Sequence, residues 1–448
     1  MKKFASDNSQ QDNVSESYRN PKNLTCYTKS SPDSGLLARI ELIVKVGPFM
    51  ERENEKGLSH FVEHMSIDHL TFPYLKRCEH LSSEVPTSFH RAYTSFNETV
   101  YLFTQYRKDE KTDSIFVTRA LSAIREILSG EMLSADSIER VRDDVRKEYD
   151  SFDTGKETAV KALFRDEFPE LRLPIGDILL IDNFGFEDVV HFHRQWYTMN
   201  NAAIVICSNL EQEQVAEIVR HEFSDTQINV HESKEIHIDI EDVEDAANHP
   251  CEVTCHKSEK NREDDEKRLY FISKSKRSLT SDDEYVESLV VIDLTLEIIR
   301  IINGDIRIDG SLFVEEIDTA AEIFSHDWHL IRIRITLMKK TEGIPIITNC
   351  LKEMNFNEND YQVAKERYTN RVDNYLELLA NSAKNHRQFM HESVQNFLYD
   401  EPILDIDTEV KYARQALLNI SYEDVKKCAD FIMKNLTLIS PSFTGFQH

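Results

Sequence analysis

Residues 57–65 read Gly-Leu-Ser-His-Phe-Val-Glu-His-Met, with two histidines four positions apart and a glutamate between them. On a helix such positions share one face, about one turn or roughly 6 Å apart along the axis. His60 and His64 can therefore hold one metal ion between their imidazoles. Glu63 is three residues from His60 and adjacent to His64, so it projects beside the ion without having to bind it. A carboxylate in that place can serve as general base for a water that the ion polarises. The same stretch carries Leu58, Phe61, Val62 and Met65, so the helix is expected to be partly buried, where two histidines and a carboxylate need partners. The chemistry indicated is zinc-assisted hydrolysis, against the plainer alternative of a solvated helix edge.

A second group of metal-ligand types, His249, Cys251, Cys255 and His256, falls within "HPCEVTCH". That stretch is acidic and linker-like and has no second pair at finger spacing, so a metal role there stays open. Seven cysteines scattered through 448 residues do not form a disulfide framework and fit a reducing compartment. The formal net charge of -27, from 53 Lys+Arg against 80 Asp+Glu, argues against a nucleic-acid partner and suits a basic peptide. Polar residues follow the opening lysines where a signal peptide needs an apolar run, and no stretch approaches membrane-spanning length. A cytoplasmic location is expected.

The elements that must carry these residues read as mixed α+β. Residues 1–22 are polar and expected to be disordered. "LLARIELIVKVG" (36–47) alternates through Ala38, Ile40, Leu42, Val44 and Val46, the period of a strand with one buried face. Helix 57–70, strand 99–106 and helix 113–129 follow, then a helix with Ser134 at its N-cap and Ile138, Val141 and Val145 on one face. Helix 186–197, strand 201–210 and helix 211–223 complete a first domain, 23–225. Residues 226–267 are charge-rich and read as a connection with a surface strand or two. A second domain, 268–448, repeats the order: strand "LYFISK", helix 284–302, strand 329–337, helix 342–354, long helices near 359–395 and 421–434, and a last strand in "LTLISPSF". The fold expected is two homologous domains, each a mainly antiparallel sheet with helices on one face.

"GLSHFVEHM" after "VKVGPFMERENEK", with "AYTSFNETVYLF", "VRDDVRKEYDSF" and "LPIGDILLIDNFGFEDVVHFHRQWYTMNNAAIVICSNL" in order, resembles the pitrilysin/insulinase zinc peptidases. His-x-x-Glu-His is their inverzincin signature, and the small two-domain members resemble subunits of the mitochondrial processing peptidase. The resemblance implies a Zn2+ site of His60, His64 and a glutamate about 80 residues later, a place that Glu148 fits, with the fourth position left to water. Val141, Val145 and Glu148 fall on one helical face, while Glu139 and Glu131 are weaker ligand candidates. It also implies that substrate adds as a strand along the edge near Arg91, Ala92 and Thr94.

Three departures from the family pattern stand out. Val141 takes the place of a second glutamate, and Arg91 replaces the usual Asn before "AYTS". "EEIDTAAEIFSH" lacks the family's substrate-holding Arg and Tyr, offering Ile317 or Asp318 and Phe324 instead. The expected function is a zinc endopeptidase that trims precursor peptides as a heterodimer with a related chain carrying the Arg/Tyr pair, or as a homodimer. The rivals are a non-catalytic peptide-binding subunit and a structural zinc protein with His69 or His80 as fourth ligand.

Overall fold

The computed structural model describes residues 16–19, 24–30, 37–78, 88–106, 110–151, 155–168, 170–224, 252–255, 268–277, 281–304, 307–308, 311–312, 314–338, 349, 351, 355–379 and 382–441. The fold is α+β, built on two sheets. Strands β1 (Glu16–Arg19), β2 (Thr25–Ser30), β3 (Leu37–Val44), β4 (Ser88–Thr94), β5 (Thr99–Tyr106) and β6 (Ala202–Ser208) form the first, in the order β1-β2-β6-β3-β5-β4. β2 and β6 run parallel, and the other neighbours are antiparallel. β4 pairs only with β5 among the described strands, so its outer side is the sheet edge beside the candidate residues.

The inner face of this sheet, with Ala38, Ile40, Leu42, Val44 and Tyr101, packs on helices α1 (Leu58–Cys78), α2 (Glu110–Ser129) and α3 (Ile138–Ser151) and on two later ones. α4 (Gly155–Leu163) and the short α5 (Ile178–Ile181) lead to those two, α6 (Phe186–Trp196) and α7 (Gln212–Phe223). α1 continues through Pro73 to Cys78 instead of ending near Leu70. Ser134 caps the 3-10 turn Ala135–Ser137, accepting from the Asp136 amide, and that turn runs on into α3.

β3 was expected to bury one face, but it buries both. Ile43, with Val100, Ala203 and Val205, lies beneath Phe389, Met390, Val394 and Phe397 of the helix Ser382–Tyr399. A segment from the far end of the chain thus covers the sheet's second face.

The second sheet is β11-β12-β8-β13-β7, from β7 (Glu252–Cys255), β8 (Arg268–Lys276), β11 (Val314–Ile323), β12 (Trp328–Leu337) and β13 (Thr437–Pro441). β9 (Arg307–Ile308) and β10 (Ser311–Leu312) form a separate small ladder. One face of the second sheet packs on the helices Asp282–Asn303 and Tyr422–Lys434. Its other face receives Ala159, Val160, Leu163, Phe164, Phe168 and Leu171 from the first half, which meet Ile272, Phe324, Trp328, Leu330 and Ile439. Each half therefore lends a helix to the other's sheet. The region expected as one run of helix near 359–395 contains two helices, Glu358–Leu379 and Ser382–Tyr399. A further helix, Ile406–Asn419, is capped by Asp405 accepting from the Thr408 amide at 2.9 Å. The expected helix 342–354 lies outside the described residues apart from Asn349 and Leu351. Among the described residues no helix is long and apolar enough to cross a membrane.

Candidate metal centre

The start of α1 is held by a carboxylate from the loop before it. Glu51 accepts from the amides of Gly57 at 2.9 Å and Ser59 at 2.8 Å, and from the Ser59 hydroxyl at 2.6 Å. These are amides that a helix N-terminus otherwise leaves without partners, and a negative charge there favours the helix dipole. Burial pushes the Glu51 carboxyl up to about 7 even against those hydrogen bonds. Gly57 has φ +95° and lies against Gly176, φ +82°, so closely that a Cβ on Gly176 would sit 2.4 Å from the Gly57 Cα. Only glycine pairs allow such an approach, and it fixes where α1 begins.

One turn later His60 and His64 bring their Nε2 atoms within 3.1 Å, with ring planes 89° apart. α3 supplies the third group: Val141 and Val145 sit in the core with Phe61 and Met65, which aims Glu148 across at the histidines. Glu148 Oε2 is 3.2 Å from His64 Nε2 and 3.6 Å from His60 Nε2. The three ligand atoms all lie within 4.8 Å of one another. Glu148 was expected on the buried face of its helix, but its side chain is 40% exposed and forms the solvent side of the site. It sits at the rim because the helix has turned partly outward one turn after Val145.

The electrostatics suit a cation. Burial, and then the neighbouring His64, pull His60 down to about 4, which keeps its imidazole neutral. Burial also works against protonated His64, but its hydrogen bond to Glu148 and the charges of Glu63, Glu148 and Asp144 outweigh it and raise its pKa. The hydrogen bond from His64 lowers the Glu148 pKa. Two imidazole nitrogens and a carboxylate oxygen converging on one point form the donor set of a catalytic zinc site. His60 Nδ1 is buried without a hydrogen-bond partner among the described residues.

Glu63 stands beside this group, buried, and accepts a hydrogen bond at 2.8 Å from the Thr94 hydroxyl. Burial raises its carboxyl to about 7, opposed by His64 and by the Thr94 bond and aided by Glu148. Along β4, Ala92 and Thr94 share the face toward α1, and Ala92 packs on the inner core. Arg91 and Tyr93 alternate onto the other face and are exposed. Thr94 was expected on the substrate edge through its main chain, and its side chain reaches Glu63. Alternation along β4 contained that signal, but only once its pairing with β5 set which face was inward.

Other candidates fall elsewhere. Ile317 packs on the second core, Asp318 pairs with Arg334 at 3.2 Å, and Phe324 stacks on Phe164. Glu139 is 77% exposed and pairs with Arg142, and Glu131 pairs with Arg125 at 3.0 Å. His249, Cys251, His256 and His80 and the side chains of Cys255 and His69 lie outside the described residues.

Residues 28–173 match the family described as Insulinase (Peptidase family M16), and residues 183–292 match the Peptidase M16 inactive domain. The chain belongs to the insulinase (M16) peptidase family. A zinc protease PQQL-like protein of Arabidopsis thaliana is 27% identical to this M16 chain over 217 residues, 45% of the chain and 22% of that protein. The mitochondrial-processing peptidase subunit beta of Lentinula edodes is 26% identical over 208 residues, 45% of the chain and 42% of that protein. The periplasmic protease PqqL from Escherichia coli superimposes with a TM-score of 0.73 at 14% identity, over 96% of this chain and 47% of that one. The first half of that protease gives 0.72 at 13% identity, over 95% and 91%. The chain thus spans less than half the length of these full-length relatives, and the structural likeness establishes the two-domain M16 fold.

Proposed function

We propose that this M16 chain is a zinc endopeptidase that matures precursor peptides together with a related chain. The observation that carries the reading is the convergence of His60, His64 and Glu148 within 4.8 Å, with Glu63 beside them on the same helix. Relatives named zinc proteases support it. When bound by His60, His64 and Glu148, zinc supplies Lewis-acid polarisation of the attacking water and of the scissile carbonyl.

The chain's own residues do the rest. Glu63, whose pKa lies near 7, takes a proton from the attacking water at a carboxylate oxygen as the water oxygen bonds to the carbonyl carbon. It then returns that proton to the amide nitrogen as the C–N bond breaks, so the glutamate ends as it began. The outer edge of β4, next to Thr94, offers main-chain groups on which an extended peptide can add as a strand. That mode demands little sequence and suits a peptidase of many substrates.

The test is zinc stoichiometry measured beside cleavage of a quenched fluorescent peptide, with and without a related chain. One zinc per chain and cleavage that a chelator abolishes and zinc restores are expected. A chain that binds peptide without cutting it under all these conditions would instead be a peptide-binding subunit.

A further inference from the structure

Glu63 holds its carboxylate in the site by one hydrogen bond among the described residues, that from Thr94. We propose that Thr94 is a positioning residue, which fixes the Glu63 carboxylate with a hydroxyl whose direction is set by its buried neighbour Thr99. This rests on the reading of Glu63 as general base.

Thr94 and Thr99 stand directly opposite each other across β4 and β5, with their Oγ1 atoms 3.4 Å apart. Thr99 is fully buried and donates its one hydroxyl proton to the carbonyl of Val46 at 2.9 Å. It therefore has none for Thr94, and Thr94 has a better acceptor at 2.8 Å in Glu63 than at 3.4 Å in Thr99. The Thr94 hydroxyl must point at the carboxylate. Beyond Thr99 lies Tyr197, whose hydroxyl meets that of Tyr101 at 2.7 Å. Tyr101 reaches Ser66, whose hydroxyl donates to the Val62 carbonyl at 2.8 Å.

The Thr99 and Ser66 hydroxyls are each tied to a backbone carbonyl in the core, at Val46 and Val62. The anchor is also rigid. The turn between β4 and β5 closes with the Ser95 amide donating to Glu98 at 2.8 Å, and Asn97 ties it to the second half through the Phe324 carbonyl at 2.7 Å and the Tyr399 hydroxyl at 2.9 Å. With Oε2 of Glu63 held by Thr94, Oε1 is the oxygen left to take the proton. The edge strand thus divides its labour: the backbone at Thr94 faces the substrate side, while its side chain serves the base.

The experiment compares Thr94→Val, which keeps the branched shape and loses the hydroxyl, with Thr94→Ser, which keeps the hydroxyl. For the full zinc-loaded chain with its partner, kcat should fall roughly ten- to a hundred-fold in Thr94→Val, with KM within about two-fold, because one hydrogen bond to a charged group is lost. Zinc content should not change, since Thr94 is not a ligand. Thr94→Ser should return kcat to within about three-fold of the wild type. Crystal structures of the peptide-free variants should find the Glu63 carboxylate displaced in Thr94→Val and in place in Thr94→Ser. A Thr94→Val variant with unchanged kcat, or with its Glu63 carboxylate unmoved, overturns the proposal. If the wild type cleaves nothing, the peptidase reading fails, and the crystal comparison alone still decides the role of Thr94.

Discussion

Phe324 of the second half stacks on Phe164 of the first with ring centroids 4.0 Å apart and planes 14° from parallel. Phe49, Phe96 and Phe168 close around the same ring at 5.7, 5.5 and 5.8 Å. Phe49 lies in the loop before α1 and Phe96 in the β4–β5 turn, so the cluster links the second sheet to both segments that frame the site. Removing a buried aromatic ring costs roughly 3–5 kcal/mol through lost transfer energy and the cavity left behind. Phe324→Ala is therefore expected to lower the stability of the whole chain by that order in one cooperative transition. Calorimetry that found the second half melting early and the first half unmoved would show the halves to be energetically separate.

Glu63→Gln keeps the shape of the side chain and its acceptor for Thr94 but cannot take a proton. Turnover should drop at least about a hundred-fold, while zinc content stays at the wild-type value. Measured hydrolysis above about a hundredth of wild type would remove Glu63 from the role of general base.

Glu148 stands 3.2 Å from His64, whereas Glu139 on the same helix is turned out to Arg142. Glu148→Ala takes away one of three protein ligands and should lower zinc affinity strongly; Glu139→Ala should leave it unchanged. Competition with a chromophoric chelator at limiting zinc measures both. Equal zinc loading in the two variants would mean that the third ligand is not Glu148.

What the amino-acid pattern made legible was local. The His-x-x-Glu-His spacing needs only helical geometry to bring His60 and His64 together, and Val141 and Val145 set the face of α3 from which Glu148 reaches out. Strand β5 was readable at its exact limits, Thr99 to Tyr106, because a short run of β-branched and aromatic residues bounded by polar ones is itself a local signal. The contacts that were not legible all join residues far apart in the chain. Thr94 meets Glu63 only through the pairing of β4 with β5 and the packing of α1 on that sheet. The apolar stripe Phe389, Met390, Val394 and Phe397 announces an amphipathic helix, but nothing in it says that it will cover the first sheet and not the second. Phe324, read as a stand-in for a substrate-holding residue, was recognisable as core only with Phe164 beside it. Glu51 gave no sign either, since a carboxylate capping a helix from outside its first turn has no fixed spacing.

The buried Glu51 carboxyl also has a signature in pH. Its folded pKa, about 7, lies above the ordinary glutamate value of 4.5, so the folded chain binds a proton that the unfolded chain releases between those two values. The stability it adds is complete below about 4.5 and is lost as pH rises through about 7, an effect on the order of 3 kcal/mol for a shift of this size. Glu51→Gln cannot ionise and should lose less stability than wild type between pH 5 and pH 7.5. Urea unfolding of the chelator-treated proteins at the two pH values measures this difference, and parallel curves would show that Glu51 does not titrate in that window.

The final expectation concerns assembly. In the stretch where related peptidases are expected to carry an Arg and a Tyr, Ile317 and Phe324 are committed to core packing and Asp318 to Arg334. None of the three can offer a hydrogen-bond donor to a carbonyl under attack. That carbonyl becomes an oxyanion, and one oriented donor aimed at it is typically worth about 3–4 kcal/mol of barrier, or a hundred- to a thousand-fold in rate. The chain also spans 47% of the PqqL chain whose fold it shares. A related chain without His-x-x-Glu-His but with the Arg and Tyr would supply the missing donor. Alone, the purified chain is expected to bind zinc and cleave slowly, and mixing it with such a chain should raise kcat by about two orders of magnitude or more. Full turnover by the chain alone, unchanged on adding the related chain, would mean that the oxyanion is stabilised from within, and the heterodimer would then have no catalytic basis.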